Sequence, residues 1–182
     1  MKFIFDFDSV LFNTKEFLSY LYTCIEKAGV PRDVAEEYYK KVGGTQFNLK
    51  NLLIHLSLRE SLYPEVLRGS KKFINQELLA IVKKLGNENC YIVSHANKEW
   101  QLDKIRSTGF ESFFSKIIVV PESKKKTVEK ICTEYNNEKV IFIDDKAKYF
   151  EGLDFKKYPN LTTVLYDERG LEKLIAEIKS SQ

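Results

Sequence analysis

Two carboxylates, Asp6 and Asp8, follow the apolar run Phe3-Ile4-Phe5 and precede Val10-Leu11. Alternate side chains of an extended chain share a face, so both acids project to one side at the end of a strand. A buried carboxylate is costly unless it is paired, hydrogen-bonded or bound to a metal. Two that adjoin repel until one takes a proton, and a cation beside them removes the conflict. Two further apolar runs end in polar groups: Cys90-Tyr91-Ile92-Val93 in Ser94, and Val140-Ile141-Phe142-Ile143 in Asp144-Asp145. Lys124, Lys125 and Lys126 follow Ser123, a good N-cap residue, and so load positive charge onto the positive end of a helix dipole. A bound anion offsets that repulsion. Taken singly, each of these is a strand or helix ending in polar residues, with the lysines a solvated face. In series they place acids for a cation beside a hydroxyl and a lysine for an anion.

The elements that must hold these groups alternate. After Phe12 the spacing of Phe17, Leu18, Leu21, Tyr22, Ile25 and Ala28 predicts an amphipathic helix that stops at Gly29. Pro31 starts another, carried by Val34, Ala35, Tyr38 and Val42 up to Gly43-Gly44. Short helices are expected at about residues 48–58 and from Tyr63 to Gly69, and a longer one is marked by Phe73, Ile74, Leu78, Leu79, Val82 and Leu85. Residues 13–75 therefore read as helices without a strand. From Cys90 onward, short apolar strands alternate with helices: 98–108, then Ile117–Val120, 124–135, Val140–Ile143, 161–166 and a last helix around Leu171–Ile178. Such a pattern predicts an α/β fold, a doubly wound parallel sheet covered on both faces. In sheets of this kind ligands bind beyond the carboxyl ends of the strands, where the strand order reverses. That is where the polar residues fall.

Composition narrows the class. With 182 residues, 43% of them hydrophobic and 30% charged, the chain is long enough for a sizeable core and is expected to form one domain with a modest insertion. A formal charge of +3 is no nucleic-acid signature, although an anionic small molecule suits it. Cys24, Cys90 and Cys132 are odd in number and widely spaced, which points to reduced thiols and a cytoplasmic protein. Asp6 and Asp8 interrupt the apolar N-terminus before a signal segment forms, and no later run reaches membrane-spanning length. Neither a nucleic-acid nor a membrane partner is expected, and the oligomeric state is left open.

Over most of its length the sequence resembles the haloacid dehalogenase-like hydrolases, the HAD superfamily. Phe-Asp-Phe-Asp-Ser-Val-Leu-Phe-Asn matches the first family motif, Ile-Val-Ser the second, a lysine opening a helix the third, and Ile-Phe-Ile-Asp-Asp the fourth. The stretch Gly109-Phe110-Glu111-Ser112-Phe113-Phe114 is also typical between the second and third motifs. The resemblance implies a Rossmann-like core of residues 1–12 and 76–182, with residues 13–75 as a small helical cap. It implies that Asp6 is a nucleophile attacking a phosphate and that Asp8 is a general acid and base. It implies further that magnesium is held by the Asp6 side chain, the Asp8 backbone carbonyl and Asp145, with Asp144 in support. Ser94 and Lys124 would bind phosphate, Lys125 being the second choice for the lysine. The implied activity is magnesium-dependent hydrolysis of a small phosphorylated metabolite through an aspartyl-phosphate.

Ser9 stands where the family often has glycine, and Tyr149 where some members have another aspartate. His95 adjoins Ser94 but reads as a structural or exposed residue, and Trp100 as packing. A phosphomutase would use nearly the same core residues. A receiver-like signalling or binding module also places acids, a hydroxyl and a lysine around magnesium, but its acidic pair belongs at the first strand and its lysine at the last. Here the Asp144-Asp145 pair comes late, which argues against that reading.

Overall fold

The computed structural model describes residues 1–180. Five parallel strands, β1 (Lys2–Phe5), β2 (Cys90–His95), β3 (Lys116–Val120), β4 (Val140–Asp144) and β5 (Leu161–Leu165), form one sheet in the order β3-β2-β1-β4-β5. The chain builds outward from β1 through β2 to β3, then crosses back to place β4 on the other side of β1. The reversal therefore lies at β1, with β2 and β4 flanking it. Phe5 is in register with both Ile92 and Ile143. One residue further on, Asp6 leaves the ladder beside Asp144, and the Asp6 amide still donates to the Ile143 carbonyl at 2.9 Å. Register alone thus brings the ends of three strands together.

Eight α-helices accompany the sheet among the described residues: α1 (Thr14–Lys27), α2 (Arg32–Val42), α3 (Leu49–His55), α4 (Leu62–Gly69), α5 (Gln76–Leu85), α6 (Lys98–Thr108), α7 (Lys125–Glu134) and α8 (Gly170–Lys179). The period-two alternation of β1 divides the core. Phe3 and Phe5, with Ile92, Ile141 and Ile143, pack into the larger cluster, which also takes in Phe17, Leu52, Val66, Leu78, Trp100 and Leu174 of the helices. Ile4, Val93, Val140 and Phe142 face the other way, onto Val128, Ile131 and Cys132 of α7. Strands buried on both faces account for the unbroken apolar runs of the sequence.

Helices α1 to α4 lie between β1 and α5, and a row of polar contacts ties α3, α4 and the turn after α4 to α6 and its cap. The Asn48 side chain donates to Asn97 Oδ1 at 3.3 Å, Lys50 Nζ to Glu99 at 2.7 Å, and the Tyr63 hydroxyl to Asp103 at 2.8 Å. The Ser70 and Ser107 hydroxyls meet at 2.6 Å. Helix boundaries differ from the sequence expectation in several places; α3, for one, ends at His55 rather than near residue 58. The helix expected to include Phe73 and Ile74 begins at Gln76, because the Asn75 side chain caps it by accepting from the Leu78 amide at 3.1 Å. Phe73 lies in a 3₁₀ turn, and Ile74 bridges to Phe12. Helix α7 begins at Lys125, one residue later than expected. Lys124 occupies the N-cap position, although the Ser123 hydroxyl still accepts from the Lys125 amide at 3.2 Å. Among the described residues no helix is long and apolar enough to cross a membrane.

Candidate active site

Asp6 follows β1 directly, and its carboxylate is buried. The Phe7 amide donates to its Oδ1 at 2.7 Å. Lys124, 1% exposed at the N-terminus of α7, reaches across to place Nζ 2.8 Å from Asp6 Oδ1 and 2.6 Å from Asp144 Oδ2. Asp144 is in turn fixed by the Lys146 amide, which donates to its Oδ1 at 2.9 Å. Lys125, the alternative lysine, points elsewhere: its side chain is 45% exposed and lies 3.8 Å from Glu129. The face of Tyr149 covers Lys124, with Nζ 4.3 Å from the ring centroid, a cation–π contact.

The remaining acid completes a three-carboxylate group. Asp6, Asp144 and Asp145 each offer an oxygen, and these lie within 4.8 Å of one another. Among the described residues Asp145 Oδ1 is buried without a hydrogen-bond partner. An orphaned, inward-facing carboxylate oxygen in an all-oxygen donor set suits a hard cation such as magnesium.

Asp8 lies on the other side of the strand end and is anchored differently. Its Oδ1 accepts from Lys104 Nζ at 2.6 Å and from the Thr14 hydroxyl at 2.8 Å, and its Oδ2 from Gln101 Nε2 at 2.7 Å. The same Gln101 amide donates to Ser94 Oγ at 2.9 Å, which links Asp8 to the hydroxyl one residue before the end of β2. The turn between Asp8 and α1 brings Thr14 back. Ser9 adopts φ +61°, the left-handed conformation that glycine reaches without strain, and its amide donates to the Phe12 carbonyl at 2.8 Å and to Thr14 Oγ1 at 3.1 Å. The serine-for-glycine departure is thus held in the glycine conformation.

The electrostatics of the two acids diverge. Burial raises the Asp6 carboxyl, Lys124 opposes it and Asp144 adds to it, leaving Asp6 at about 6. Asp144 and Asp145 are raised as well, burial being the main cause in each. For Asp8 burial also works upward, but Lys104, Thr14 and Gln101 together outweigh it and hold the carboxyl below its usual range. Burial works to lower the Lys124 ammonium, yet the paired Asp6 and Asp144 raise it above normal, so it stays charged.

A cleft of about 320 Å³ is lined by Asp6, Asp8, Ser94 and Lys104 together with Tyr39 and Thr45 of the helical segment. The structure therefore brings Asp6, Asp8, Ser94, Lys124, Asp144 and Asp145 to one place. His95 borders the cleft with Nδ1 2.9 Å from the Tyr149 hydroxyl and Nε2 3.1 Å from the Pro121 carbonyl. Trp100 packs on Phe17, Phe47 and Tyr63. Thr14, Gln101 and Lys104 were not singled out from the sequence. A signal was present for the last two: Gln101, Lys104 and Thr108 share the inward face of α6 with Trp100 and Ile105, and polar residues on a buried helix face call for partners.

Residues 3–152 match the haloacid dehalogenase-like hydrolase family, and the chain belongs to it. No curated protein sequence matches the chain. Among solved structures, a haloacid dehalogenase-like hydrolase of Burkholderia xenovorans superposes with a TM-score of 0.69 at 17% identity, over 93% of this chain and 86% of that one. A HAD-hydrolase of Bacillus subtilis bound to magnesium gives 0.59 at 15% identity, over 97% of both chains. A protein of Thermotoga maritima described as a β-phosphoglucomutase gives 0.54 at 19% identity, over 95% of this chain and 91% of that one. At these identities the likenesses speak to the shared fold.

Proposed function

We propose that this hydrolase is a magnesium-dependent phosphatase acting on a small phosphorylated metabolite through a phosphorylated Asp6. The observation that carries the reading is the bridging of Asp6 and Asp144 by the buried ammonium of Lys124 at the strand reversal, with the unpartnered oxygen of Asp145 beside them. Asp6, Asp145 and the Asp8 carbonyl would hold the cation, with Asp144 in support. Bound there, magnesium would neutralise phosphate charge and help to hold the phosphoryl group in line.

In the first step an ionised Asp6 oxygen forms a bond to phosphorus as the bond to the leaving oxygen breaks, and the leaving oxygen receives a proton by way of Asp8, whose carboxylate takes that proton up from the entering phosphate monoester. In the second, Asp8 takes a proton from water as the water oxygen bonds to phosphorus and the bond to Asp6 breaks, which frees phosphate. One difficult displacement becomes two easier ones. Lys124 and the Ser94 hydroxyl donate to the phosphoryl oxygens as charge builds on them. The helical segment of residues 13–75 serves as a cap that excludes water and contacts the substrate's leaving portion through side chains such as Tyr39 and Thr45. Three free thiols fit a cytoplasmic location.

The test is a screen of phosphorylated metabolites and an aryl phosphate for phosphate release, with magnesium and with chelator, run beside Asp6→Asn. Magnesium-dependent release by the wild type that Asp6→Asn abolishes is the expected outcome. Full release by Asp6→Asn would refute the nucleophile, and chelator-insensitive turnover would refute the metal. Isomer formation without free phosphate would identify a mutase instead.

A further inference from the structure

We propose that Lys104 and Gln101 are positioning residues that hold the two oxygens of Asp8 in the orientation needed for proton transfer to the leaving group, a role that rests on the phosphatase reading above. Lys104 is on the inward face of α6 with a side chain only 5% exposed. Its ammonium lies 5.4 Å from the ring centroid of Phe7, 5.3 Å from that of Phe12 and 5.7 Å from that of Trp100. Three aromatic faces offset part of the cost of burying that charge, and an ion-pair partner must offset the rest. Its ion-pair partner is Asp8, the carboxylate to which the mechanism assigns proton transfer.

Gln101 supplies the second hold. Its amide nitrogen must face Asp8, because an ionised carboxylate only accepts hydrogen bonds. The orientation is thereby fixed, and the other end of the amide, Oε1, is buried without a partner among the described residues. Leaving such an acceptor unsatisfied is costly, whereas a methionine of similar volume would fill the space without that cost. The glutamine is therefore explained by what its nitrogen does. It spans Asp8 Oδ2 at 2.7 Å and Ser94 Oγ at 2.9 Å, and so sets the distance between the proton-transfer group and the hydroxyl that faces phosphate. With Lys104 on Oδ1 and Gln101 on Oδ2, the carboxylate plane cannot turn freely. A purely structural pair, joining α6 to the loop after β1, would affect folding and would slow all substrates alike.

The two possibilities separate by leaving group. Phenyl phosphate releases a more basic oxygen than 4-nitrophenyl phosphate and depends more on a well-placed proton donor. We expect Lys104→Met to lower kcat on phenyl phosphate by about 10- to 100-fold, within the range for a misplaced reacting group. The loss on 4-nitrophenyl phosphate is expected to be severalfold smaller, with KM nearly unchanged on both. Lys104→Arg restores part of the phenyl phosphate rate, and Gln101→Met, which removes only the amide, shifts the ratio of the two rates in the same direction to a smaller extent. Equal losses on both esters, or no loss on either, overturn the positioning role while leaving the phosphatase reading intact. If Lys104→Met does not fold, the ratio measured for Gln101→Met decides by the same criterion. No phosphate release by the wild type from these esters or from any of the screened metabolites overturns both readings together.

Discussion

Asp6 and Asp8 leave the same strand two residues apart, and each has a lysine ammonium at nearly the same distance, 2.8 Å and 2.6 Å. Their proton affinities nevertheless move in opposite directions. Distance to a cation therefore does not set the outcome. Asp6 shares Lys124 with Asp144 in a pocket where all three side chains are at most 6% exposed, so two negative charges divide one positive charge away from water. Asp8 has Lys104 to itself, accepts from two neutral donors besides, and is 24% exposed. The first pocket is one positive charge short, which is the condition that invites a cation. The second is balanced, and holds a carboxylate in place.

The largest effects should come from removing the acids themselves. Asp6→Asn is expected to cut phosphate release by at least about a thousandfold, as losing a nucleophile does elsewhere. Asp8→Asn should cost roughly 10²- to 10⁴-fold, the usual contribution of a positioned acid or base, with the greater loss on substrates whose leaving oxygen is more basic. Steady-state phosphate assays with matched aryl esters check both. A small, uniform loss for Asp8→Asn would break the division of labour between the two pockets.

Exchanging the lysines sharpens the same contrast in stability. Lys124→Met leaves two buried carboxylates facing each other and should destabilise the metal-free chain by about 3–5 kcal/mol, the range for breaking a buried ion pair. Lys104→Met leaves one carboxylate that water can reach and should cost clearly less. Denaturant unfolding in chelator measures both, and the reverse ranking would contradict the charge count given above.

Much of this arrangement was legible in the sequence, for physical reasons. Apolar strands must end somewhere, and a parallel sheet exposes its strand ends at one edge, so Asp6, Ser94 and Asp144-Asp145 could be placed together from their positions alone. The conflict of three lysines at a helix N-terminus pointed to an anion, but the choice of Lys124 over Lys125 rested on the match to the family's lysine position, counted back from the buried Val128, Ile131 and Cys132. Lys104 and Gln101 did not follow, because their partner lies some ninety residues away and only the packing of α6 against the loop after β1 brings them to Asp8. Charged residues on a helix read as solvated unless burial is known. The start of α5 departs from the sequence expectation for a related reason: Phe73 and Ile74 continue the apolar spacing, but the side-chain cap at Asn75 decides where the helix begins.

A smaller effect lies in the pH dependence of the metal-free chain. Because Asp6 titrates at about 6 in the folded state, above the ordinary 3.8, its contribution to stability is fully present below the unfolded value and is lost as pH rises through about 6. Asp8, lowered in the fold, contributes in the opposite sense: its stabilisation is present above the ordinary value and is lost as pH falls through the lowered one. In chelator the wild type should therefore lose on the order of 1–2 kcal/mol relative to Asp6→Asn between about pH 5 and pH 7. Unfolding curves at the two pH values measure it. Parallel pH profiles for the two proteins would mean that Asp6 is not perturbed.

The central claim is that Asp6, and not Asp8, carries the phosphoryl group. Rapid acid quenching of the magnesium-loaded chain during turnover of an aryl phosphate, followed by peptide mass analysis, tests it directly. The expected result is the added mass of one phosphoryl group on the peptide that begins the chain, assigned to Asp6 by fragmentation and absent from Asp6→Asn. A phosphoryl group on Asp8 or Asp145, or unchanged labelling of Asp6→Asn, would contradict it.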